Sequence, residues 1–550
     1  MKFNITKTNK GVIQYILPCL VMVSVLVSCT KFLEEKPTAN LTSAYNFTTA
    51  EEGNALVVSG YRALNGVYTG GGGDYGNQLA GVLEYWTGKA WSGGSHPQLT
   101  IYQTNQISGS FISNFDNYWN NNYTGVKDCN NAIQKINGIT EYTASVRSAK
   151  MAEVRALRAL YYFNLVRYFG DVVLDTTLRS FAESQRPRTS LKKAYDELII
   201  PDLEFAVNST LADTYANGQM SKNAARAILA DVYLTCAGYP YQEVATAPDK
   251  AWCTTGGWSQ QTYPVVSASA KSFLEKAKTN LDYLYGKYTM YSTYAEMRNP
   301  ANDNKLEAIF QVQFELGISN MNGLIGSFTP SAARCAEFTE FGTIIPEPTY
   351  VNSFGSADLR AQERQYFYTS DLTLARFDPT TPLVRFSQPH VFKFYDEAGV
   401  KSNLGTTLNY TVYRYSDILL MLTEVNWALT QNGVTTIPAD DVLKGINAVR
   451  ARAKLPAYTI GQINNLTIFS ERAYELIFEQ KMLWDQRRSR KCLIDGSGAF
   501  GIENFIGHQP AKFNFKFGPM NLLAPISQNE IAVNANCLQN FNYNPRQKGQ

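Results

Sequence analysis

The stretch MAEVRALRALYYFNLVRYFGDVVL, Met151–Leu174, decides the fold class of this 550-residue chain. Its apolar residues return at the i, i+4, i+7, i+11 and i+14 spacing of one helix face: Ala152, Ala156, Ala159, Phe163 and Val166. The small alanines in this stripe allow a neighbouring helix to approach closely. Gly170 stands where a C-terminal cap would end the helix. The stretch therefore predicts a long helix packed against other helices.

A second stretch, SKNAARAILADVYLTCAGY (Ser221–Tyr239), repeats the pattern, with a capping serine and an apolar stripe of its own. Further helical periodicity covers residues 117–136, 190–206, 267–285, 414–430, 440–453 and 470–490. We predict a mostly α fold, in which tetratricopeptide-like helix pairs scaffold a loop-rich variable part within a single globular unit. A plain helical bundle is the alternative.

Three long stretches without helical periodicity, residues 69–125, 238–266 and 286–350, are rich in Gly, Tyr, Trp, Asn and Ser. Irregular segments of this length in a compact protein are usually functional or disordered, and disordered chains contain few aromatic residues. We therefore place the variable ligand-binding regions at about 69–125 and 238–350.

Six aromatic residues of these regions are the candidates for ligand binding. Flat rings stack on the apolar faces of sugars, and neighbouring amide and carboxylate groups hydrogen-bond the sugar hydroxyls. The alternative is that the rings pin the long loops to the body of the protein. The candidates are Tyr75, Tyr85, Trp86, Trp91, Tyr291 and Tyr294.

The chain contains no sequence motif that indicates catalysis, a cofactor or a metal site. Gly71–Gly76 matches G-x-G-x-x-G, but the residues before it are typical of a helix end, so a flexible glycine-rich loop is the better interpretation. Neither H-E-x-x-H nor G-x-S-x-G occurs. Asn299–Glu307 is rich in oxygen ligands without EF-hand spacing, so calcium in this loop is a minor alternative. The paired carboxylates of a glycan hydrolase meet in space rather than in sequence, so a hydrolase stays open as an alternative.

The densest charge cluster is ERAYELIFEQKMLWDQRRSR, Glu471–Arg490. Glu471, Glu475 and Glu479 recur at i, i+4 and i+8, with arginines and an aspartate around them. An anion-binding or acid site is one interpretation. We favour a helix face with ion pairs, each worth roughly a few tenths of a kcal/mol.

The N-terminus has the layout of a lipoprotein signal. Three lysines precede an apolar run that ends at Cys29, and a glutamine and a proline leave this run too short for a membrane-spanning helix. The ending Leu-Val-Ser-Cys resembles a bacterial lipobox, in which the cysteine thiol takes the lipid and becomes the new N-terminus. We predict a signal peptide at residues 1–28, lipidation of Cys29 and a mature body of residues 29–550.

Charge and cysteine usage exclude some functions of the mature chain. Removal of the signal removes three lysines and no acidic residue, so the formal net charge of +3 falls to about zero. No basic field remains that would indicate a nucleic-acid partner. The six cysteines after Cys29 form no C-x-x-C pair, which favours buried apolar thiols over a zinc or redox motif, with one disulfide as an alternative.

The body resembles the SusD/RagB family of outer-membrane nutrient-binding lipoproteins, through motifs that follow one another from Cys29 almost to the C-terminus. They are CTKFLEEKPTA (Cys29–Ala39), EVRALRALYYFNLVRYFGDVVL (Glu153–Leu174), SADLRAQ (Ser356–Gln362), YRYSDILLMLTEVNWAL (Tyr413–Leu429), INAVRARAKLP (Ile446–Pro456), ERAYELIFEQKMLWDQRR (Glu471–Arg488) and APISQNEIAVNANCLQNFNY (Ala524–Tyr543). The regions 69–125 and 238–350 resemble the family least.

This resemblance implies a mostly α-helical fold and a lipid anchor in the outer membrane, with the body exposed at the cell surface. It also implies a partner, a SusC-like TonB-dependent transporter on which the lipoprotein sits as a lid. The family captures oligosaccharides or, in some members, peptides, and it is not known for catalysis. We therefore expect a non-catalytic protein without cofactors that captures oligosaccharides for this transporter. A peptide-capturing protein, a lipid-anchored hydrolase and a pure helical-repeat scaffold are the alternatives.

Overall fold

The structure of the protein is a computed structural model. It describes residues 46–65, 75–76, 78–91, 104–105, 113–178, 185–315, 322–328, 344–371, 384–396, 406–496 and 498–543. The predicted signal peptide, the predicted lipidation site Cys29 and residues 71–74 of the glycine-rich motif lie outside the described residues.

Helices dominate the described residues, and short strands connect them. In chain order the α-helices are α1 (Ala50–Ser59), α2 (Arg62–Asn65), α3 (Gln78–Thr87), α4 (Ser113–Ile136), α5 (Ala144–Phe169), α6 (Leu191–Ala194), α7 (Ile200–Val207), α8 (Lys222–Cys236), α9 (Tyr241–Thr246), α10 (Trp252–Thr255), α11 (Ala268–Leu284), α12 (Leu324–Phe328), α13 (Pro348–Asn352), α14 (Tyr415–Gln431), α15 (Ala439–Arg452), α16 (Asn465–Leu476), α17 (Met482–Ser489) and α18 (Gln528–Val533). The strands are β1 (Ala90–Trp91), β2 (Ala308–Val312), β3 (Ile345–Pro346), β4 (Phe367–Asp371), β5 (Val384–Val391), β6 (Tyr410–Arg414), β7 (Lys491–Gly496) and β8 (Ala499–Asn504). A π-helical turn, Tyr195–Ile199, joins α6 to α7.

Helix α5, formed by the stretch that decides the fold class, is the centre of the helical core. The Thr143 side chain caps its start by accepting a backbone hydrogen bond, and Gly170, at φ +73°, ends it. The predicted apolar stripe is buried, and so are the other sides, because between Ala152 and Phe169 only Arg155 and Arg167 keep partial exposure. A helix that is buried all round must be covered by several neighbours, and α4 and α7 pack against it.

Neighbouring helices pack as pairs along the chain: α4 with α5, α8 with α11, and α14 with α15. Two of these crossings need glycine. A Cβ on Gly125 of α4 would lie 2.3 Å from Tyr161 Cζ, and a Cβ on Gly445 of α15 would lie 2.0 Å from the Leu419 carbonyl oxygen. The prediction of a mostly α fold with tetratricopeptide-like helix pairs is confirmed, and glycines on α4 and α15 allow two of the close crossings.

The strands form two-stranded antiparallel pairs that join distant segments: β1 with β3, β2 with β6, β4 with β5, and β7 with β8. In the first pair Trp91 lies opposite Ile345, and in the second Phe310 lies opposite Tyr413. Because β6 leads directly into α14, the second pair ties the region 286–350 to the helical scaffold.

The prediction that residues 69–125 and 238–266 are irregular is wrong in part. Helix α3 and the first turns of α4 lie in the first region, and α9 and α10 lie in the second. The start of α4 is rich in asparagine, a weak helix former, so local sequence gives little helical signal there. Packing against α5 overrides this weak propensity.

Residues 48–550 form one compact unit. None of the described helices is both long enough and apolar enough to cross a membrane. The prediction of buried apolar thiols is confirmed for the described cysteines, which are buried and form no disulfide with one another: Cys129, Cys236, Cys253, Cys492 and Cys537.

The predicted helix over residues 470–490 is broken into two. Helix α16 ends at Leu476 and α17 begins at Met482. Between them Phe478 and Gln480 have left-handed backbone angles, φ +62° and +58°. Residues with side chains rarely adopt this conformation, so the surrounding structure must hold the turn in place.

The charge cluster forms ion pairs, as predicted, but the pairs are buried rather than arranged along a helix face. Glu475, which is fully buried, lies 2.8 Å from Arg414 Nη1 and 3.3 Å from Arg360 Nη1, and it also contacts Arg452. Glu307 lies 2.7 Å from Arg414 Nη1 and 2.6 Å from Arg452 Nη1. This buried charge network therefore joins residues that are far apart in the sequence, which ion pairs along one helix would not do.

Electrostatics keep the buried carboxylates ionised. Burial alone would raise the pKa of Glu475, but the guanidinium groups of Arg452 and Arg414 hold it well below its usual range. The same two arginines outweigh burial at Glu307 and lower its pKa to about 2. Since both folded pKa values are depressed, this stabilisation is present above the usual carboxyl pKa of about 4.5 and is lost as the pH falls toward the folded values.

We expect Glu475→Gln to lower the free energy of unfolding by roughly 3–5 kcal/mol, because it leaves buried guanidinium groups without their carboxylate. Urea unfolding at pH 7 measures the loss. Arg62→Gln is the control, since the Arg62 side chain is 42% exposed and its pair with Asp128 should contribute less than about 1 kcal/mol. Equal losses in the two variants would contradict the structural role of the buried charge network.

Candidate functional site

Five of the six candidate rings lie in the interior. Tyr75, Tyr85, Trp86, Tyr291 and Tyr294 are each at most 5% exposed. Two of them, Tyr85 and Trp86, lie on helix α3 and not on a loop. Because a covered ring offers no face to a sugar, we reassign these five residues from ligand contacts to packing, which was the alternative considered for them.

The contacts of the buried rings show what they pack against. The Tyr75 ring lies 5.5 Å from that of Tyr410, and the Tyr75 hydroxyl accepts a hydrogen bond from Asn164 Nδ2 at 3.1 Å. The Tyr294 ring packs edge-on against Tyr366 with the centroids 4.8 Å apart, beside the buried charge network. These rings therefore fasten the variable regions to the helical scaffold.

Trp91 is the candidate ring that keeps partial exposure. It lies on β1, directly after the turn at Gly88, where φ is +78° and a Cβ would lie 2.3 Å from Pro510 Cβ. The Lys512 ammonium lies 4.9 Å from the Trp91 ring centroid. Trp91 Nε1 is buried and has no hydrogen-bond partner among the described residues. Trp91 thus remains our candidate for stacking on a ligand.

Helix α3, which leads to Trp91, is docked onto the left-handed turn between α16 and α17. One carboxylate oxygen of Glu84 accepts a hydrogen bond from the Gln480 backbone N–H at 3.0 Å. Burial raises the pKa of Glu84 to about 7, although the Gln480 N–H and the Lys393 ammonium oppose this rise. Glu479 is a further charged neighbour, and its carboxylate adds to the rise. The docking of α3 therefore depends on a carboxyl group that changes charge near neutral pH.

A second candidate surface forms where three parts of the chain that are distant in the sequence meet. The Gly323 backbone N–H donates to the Gly76 carbonyl oxygen at 2.9 Å, and Asn322 and Thr406 exchange backbone hydrogen bonds of 2.9 and 3.1 Å. The half-buried Phe314 ring packs against Gly76, whose φ is +78° and whose added Cβ would lie 2.2 Å from Phe314 Cζ. We call these residues, together with Asn409, the loop-end surface. Gly76, Asn322, Thr406 and Asn409 are buried within it, and Phe314 and Gly323 are its exposed part.

An amide cluster lies beside this surface. Gln313 Oε1 accepts hydrogen bonds from Asn304 Nδ2 at 2.8 Å and from Asn409 Nδ2 at 2.9 Å. The Asn409 side-chain oxygen in turn accepts from the Phe314 backbone N–H at 2.9 Å. Side-chain amides next to a half-buried ring are groups that can hydrogen-bond sugar hydroxyls while the ring covers an apolar sugar face.

No pattern in the sequence indicates this arrangement. Asn304 and Gln313 are nine residues apart, but Asn409 lies 96 residues after Gln313. No local pattern connects such residues, because the β2–β6 pairing brings them together. Phe314 lies within the variable region 238–350, where no local pattern distinguishes it from the other aromatic residues.

The oxygen-rich segment Asn299–Glu307 uses its side chains within the protein. Glu307 belongs to the buried charge network, and Asp303 accepts hydrogen bonds from the Asn409 backbone and from Gln311. Within the described residues, no three His, Cys, Asp or Glu side chains are grouped closely enough to hold a metal ion. Calcium in this loop stays an untested alternative.

Comparison with known proteins identifies the family. The SusD family model matches residues 340–543, and a model described as "Starch-binding associating with outer membrane" matches residues 31–234. A SusD superfamily protein from Parabacteroides distasonis, known from its crystal structure, is 32% identical, with a TM-score of 0.77 over 92% of this chain and 100% of that one. The chain belongs to the SusD superfamily.

Other similar proteins are more distant. A "SusD-like protein P2" from Formosa agariphila is 24% identical over 96% of this chain and 99% of its own length. Surface glycan-binding protein A from Bacteroides thetaiotaomicron, solved in complex with laminarihexaose, is 17% identical, with a TM-score of 0.65 over 90% of this chain and 100% of that chain. At these identities the comparisons show the shared fold.

We expect the unfolding free energy of the protein to fall by about 1 kcal/mol between pH 6 and pH 8 because of Glu84. Its folded pKa of about 7 lies above the usual value of 4.5, so its contribution is fully present below pH 4.5 and is lost as the pH rises through 7. Glu84→Gln keeps an acceptor for the Gln480 N–H without the charge and should remove this part of the slope. Urea unfolding at both pH values tests it, with the exposed Glu51→Gln as control. An unchanged slope in Glu84→Gln would contradict the assignment.

We expect Gly76→Ala to lower the free energy of unfolding by roughly 1–3 kcal/mol more than Gly286→Ala. Both glycines have nearly the same backbone conformation, φ +78° and +77°, so the strain of a left-handed alanine is common to the two variants. An added Cβ at Gly76 meets Phe314, whereas nothing lies within 4 Å of one at Gly286. Thermal unfolding of both variants isolates the clash, and equal losses would show that Phe314 is not fixed against Gly76.

Proposed function

We propose that this member of the SusD superfamily is a non-catalytic, lipid-anchored surface protein. It captures oligosaccharides and delivers them to a SusC-like TonB-dependent transporter. Support comes from the relative solved with laminarihexaose, from the family model named for starch binding at the outer membrane, and from the lipobox-like sequence that ends at Cys29. These observations agree on glycan capture at a membrane surface.

The observation that carries the glycan proposal is Trp91. Its half-buried ring lies beside Lys512 at the end of a short strand, where the pairing with Ile345 fixes its position. A ring held in this way loses little freedom when a sugar stacks on it, so less of the binding free energy is spent on ordering. The amide cluster and Phe314 offer complementary groups for hydroxyls and for a second apolar sugar face.

A protein that passes its ligand to a transporter gains nothing from very tight binding. Partly exposed rings and amides that already bond to one another favour a shallow site with a dissociation constant on the order of micromolar or weaker. Such a complex dissociates quickly, as transfer requires. The lipid on Cys29 would hold the body at the outer membrane, next to the transporter.

We expect Trp91→Ala to weaken binding of the cognate oligosaccharide roughly tenfold, because the stacking contact is lost. Affinity gels and calorimetry on residues 30–550, with a panel of polysaccharides and peptides, measure the change. Tyr285→Ala is the matched control, since Tyr285 is an aromatic residue with 40% exposure that follows α11 of the helical scaffold. Unchanged glycan binding in Trp91→Ala would remove Trp91 from the site, and binding of peptides in place of all glycans would overturn the sugar proposal.

A further inference from the structure

Lys89, two residues before Trp91, is a buried lysine that anchors the start of β1. The residue is only 2% exposed. Its ammonium group donates a hydrogen bond to the Leu493 carbonyl oxygen at 2.8 Å and forms an ion pair with Asp495. Leu493 and Asp495 both lie on β7. This one side chain therefore fastens the strand that carries Trp91 to a second strand pair.

The backbone of Lys89 is also held on both sides. Its N–H donates a hydrogen bond to the Thr87 hydroxyl oxygen at 3.0 Å, and its carbonyl oxygen accepts one from the Glu347 N–H at 2.9 Å. The Thr87 carbonyl oxygen in turn accepts a hydrogen bond from Gln486 Nε2 at 3.1 Å. The turn that leads into β1 is thus fixed by α17 on one side and by the residue after β3 on the other.

Asp495 closes a circuit of contacts around this strand. The Thr349 hydroxyl donates to the second carboxylate oxygen of Asp495 at 3.0 Å, and Thr349 lies on α13. Glu347, which caps the start of α13, also contacts Thr349, and its N–H is the one that reaches Lys89. Through Asp495, the Lys89 side chain is therefore connected to the same short segment, 347–349, that the Lys89 backbone contacts directly.

The pairing of β1 with β3 is too short to hold the Trp91 ring by itself. It consists of two residue pairs, Ala90 with Pro346 and Trp91 with Ile345. Pro346 has no backbone N–H, so it cannot donate a hydrogen bond to the neighbouring strand. The direction of β1, and with it the direction of the Trp91 side chain, therefore depends on contacts outside this pairing.

A buried ion pair is suited to set a direction. Compared with well-packed apolar side chains of the same volume, it adds little or no stability, because both charges lose their water. It does require a defined geometry, since the ammonium group must meet the Asp495 carboxylate and the Leu493 carbonyl oxygen at the same time. Apolar contacts are not directional, so they would tolerate small shifts of β1 that this arrangement does not.

We propose that Lys89 is a positioning residue for glycan binding, which acts through Trp91 and does not contact the glycan. Its ion pair with Asp495 holds β1 so that the Trp91 ring is presented in one orientation before a sugar arrives. This inference rests on the proposed function, because it assigns a role in the same site. A ring that is already oriented loses less freedom on binding, so loss of the anchor should weaken binding although the ring is still present.

The test is a double-mutant cycle between the anchor and Trp91, measured by calorimetry on the mature body. Lys89→Met with Asp495→Asn removes both charges together, nearly keeps the size of both side chains and leaves no buried charge unpaired. The probe is whichever of laminarin, xyloglucan and starch the wild-type protein binds, and we expect the double variant to bind it roughly fivefold more weakly. In the Trp91→Ala background we expect no further loss, because the anchor acts only through this ring.

Lys278→Met with Asp282→Asn is the matched control. It removes an ion pair of the same chemistry, with 2.6 Å between Nζ and Oδ2, from α11 of the helical scaffold, and it should leave binding unchanged. Thr349→Val is the second anchor variant. Thr349 is exposed, so loss of its hydroxyl loosens Asp495 without affecting a buried charge, and we expect a roughly twofold loss of affinity. Circular dichroism and thermal unfolding show which variants are folded, and the folded variants decide.

Unchanged affinity in the folded anchor variants would overturn the inference and sustain the proposed function. An equal loss with and without the Trp91 ring would also overturn it, because the anchor would then act on the protein as a whole. Unchanged binding in Trp91→Ala alone would overturn it too, since Trp91 would lie outside the site. Absence of binding to every glycan would overturn both the inference and the proposed function.

Discussion

The ion pairs that surround Glu475 are the interaction on which the rest of the structure depends. They join α16 to Arg414 at the end of β6, Arg452 at the end of α15 and Arg360 in a short turn. Each charge would be costly to bury alone, and the mutual attraction offsets this cost only when all partners are in place. The network therefore favours one arrangement of these elements over looser alternatives that would leave a charge uncompensated.

The same network supports the surfaces that we assign to ligand binding. Lys393, which pairs with Glu479, also donates to the carbonyl oxygens of Glu475 at 2.8 Å and of Ile477 at 2.9 Å. The next residue is Phe394, which contributes to the aromatic contacts under the loop-end surface. Glu84, on the helix that leads to Trp91, accepts a hydrogen bond from Gln480 in the left-handed turn between α16 and α17. The surface around Trp91 and the loop-end surface are thus both linked to the buried charge network and the adjoining turn between α16 and α17. A binding site supported in this way is formed before its ligand binds, so less binding free energy is spent on ordering it.

The sequence predicted the scaffold well because the helical period is a local signal. The spacing of apolar residues located α8, α11, α14 and α15 with small errors at their ends, and it located α5 without its first two turns. It could not predict that α5 is covered on every side or that Glu475 is buried, because the period shows which residues share a face but not what covers it. The assignment of most of the six aromatic residues to ligand binding was not supported for a related reason. The glycine-rich composition around α3 is typical of a loop, so the helix was not predicted and its buried residues Tyr85 and Trp86 were taken for loop residues. The amide cluster depends on strand pairing across 96 residues, for which the sequence carries no local signal.

The hydrogen bonds that join Gly76 to Gly323 and Asn322 to Thr406 have a consequence for how the protein can change. They join three parts of the chain that are far apart in the sequence, and they use backbone atoms only. A backbone hydrogen bond does not depend on which side chain its residue carries. The side chains next to these residues can therefore change while the three parts stay joined, so new ligand contacts can arise there without redesign of the helical body.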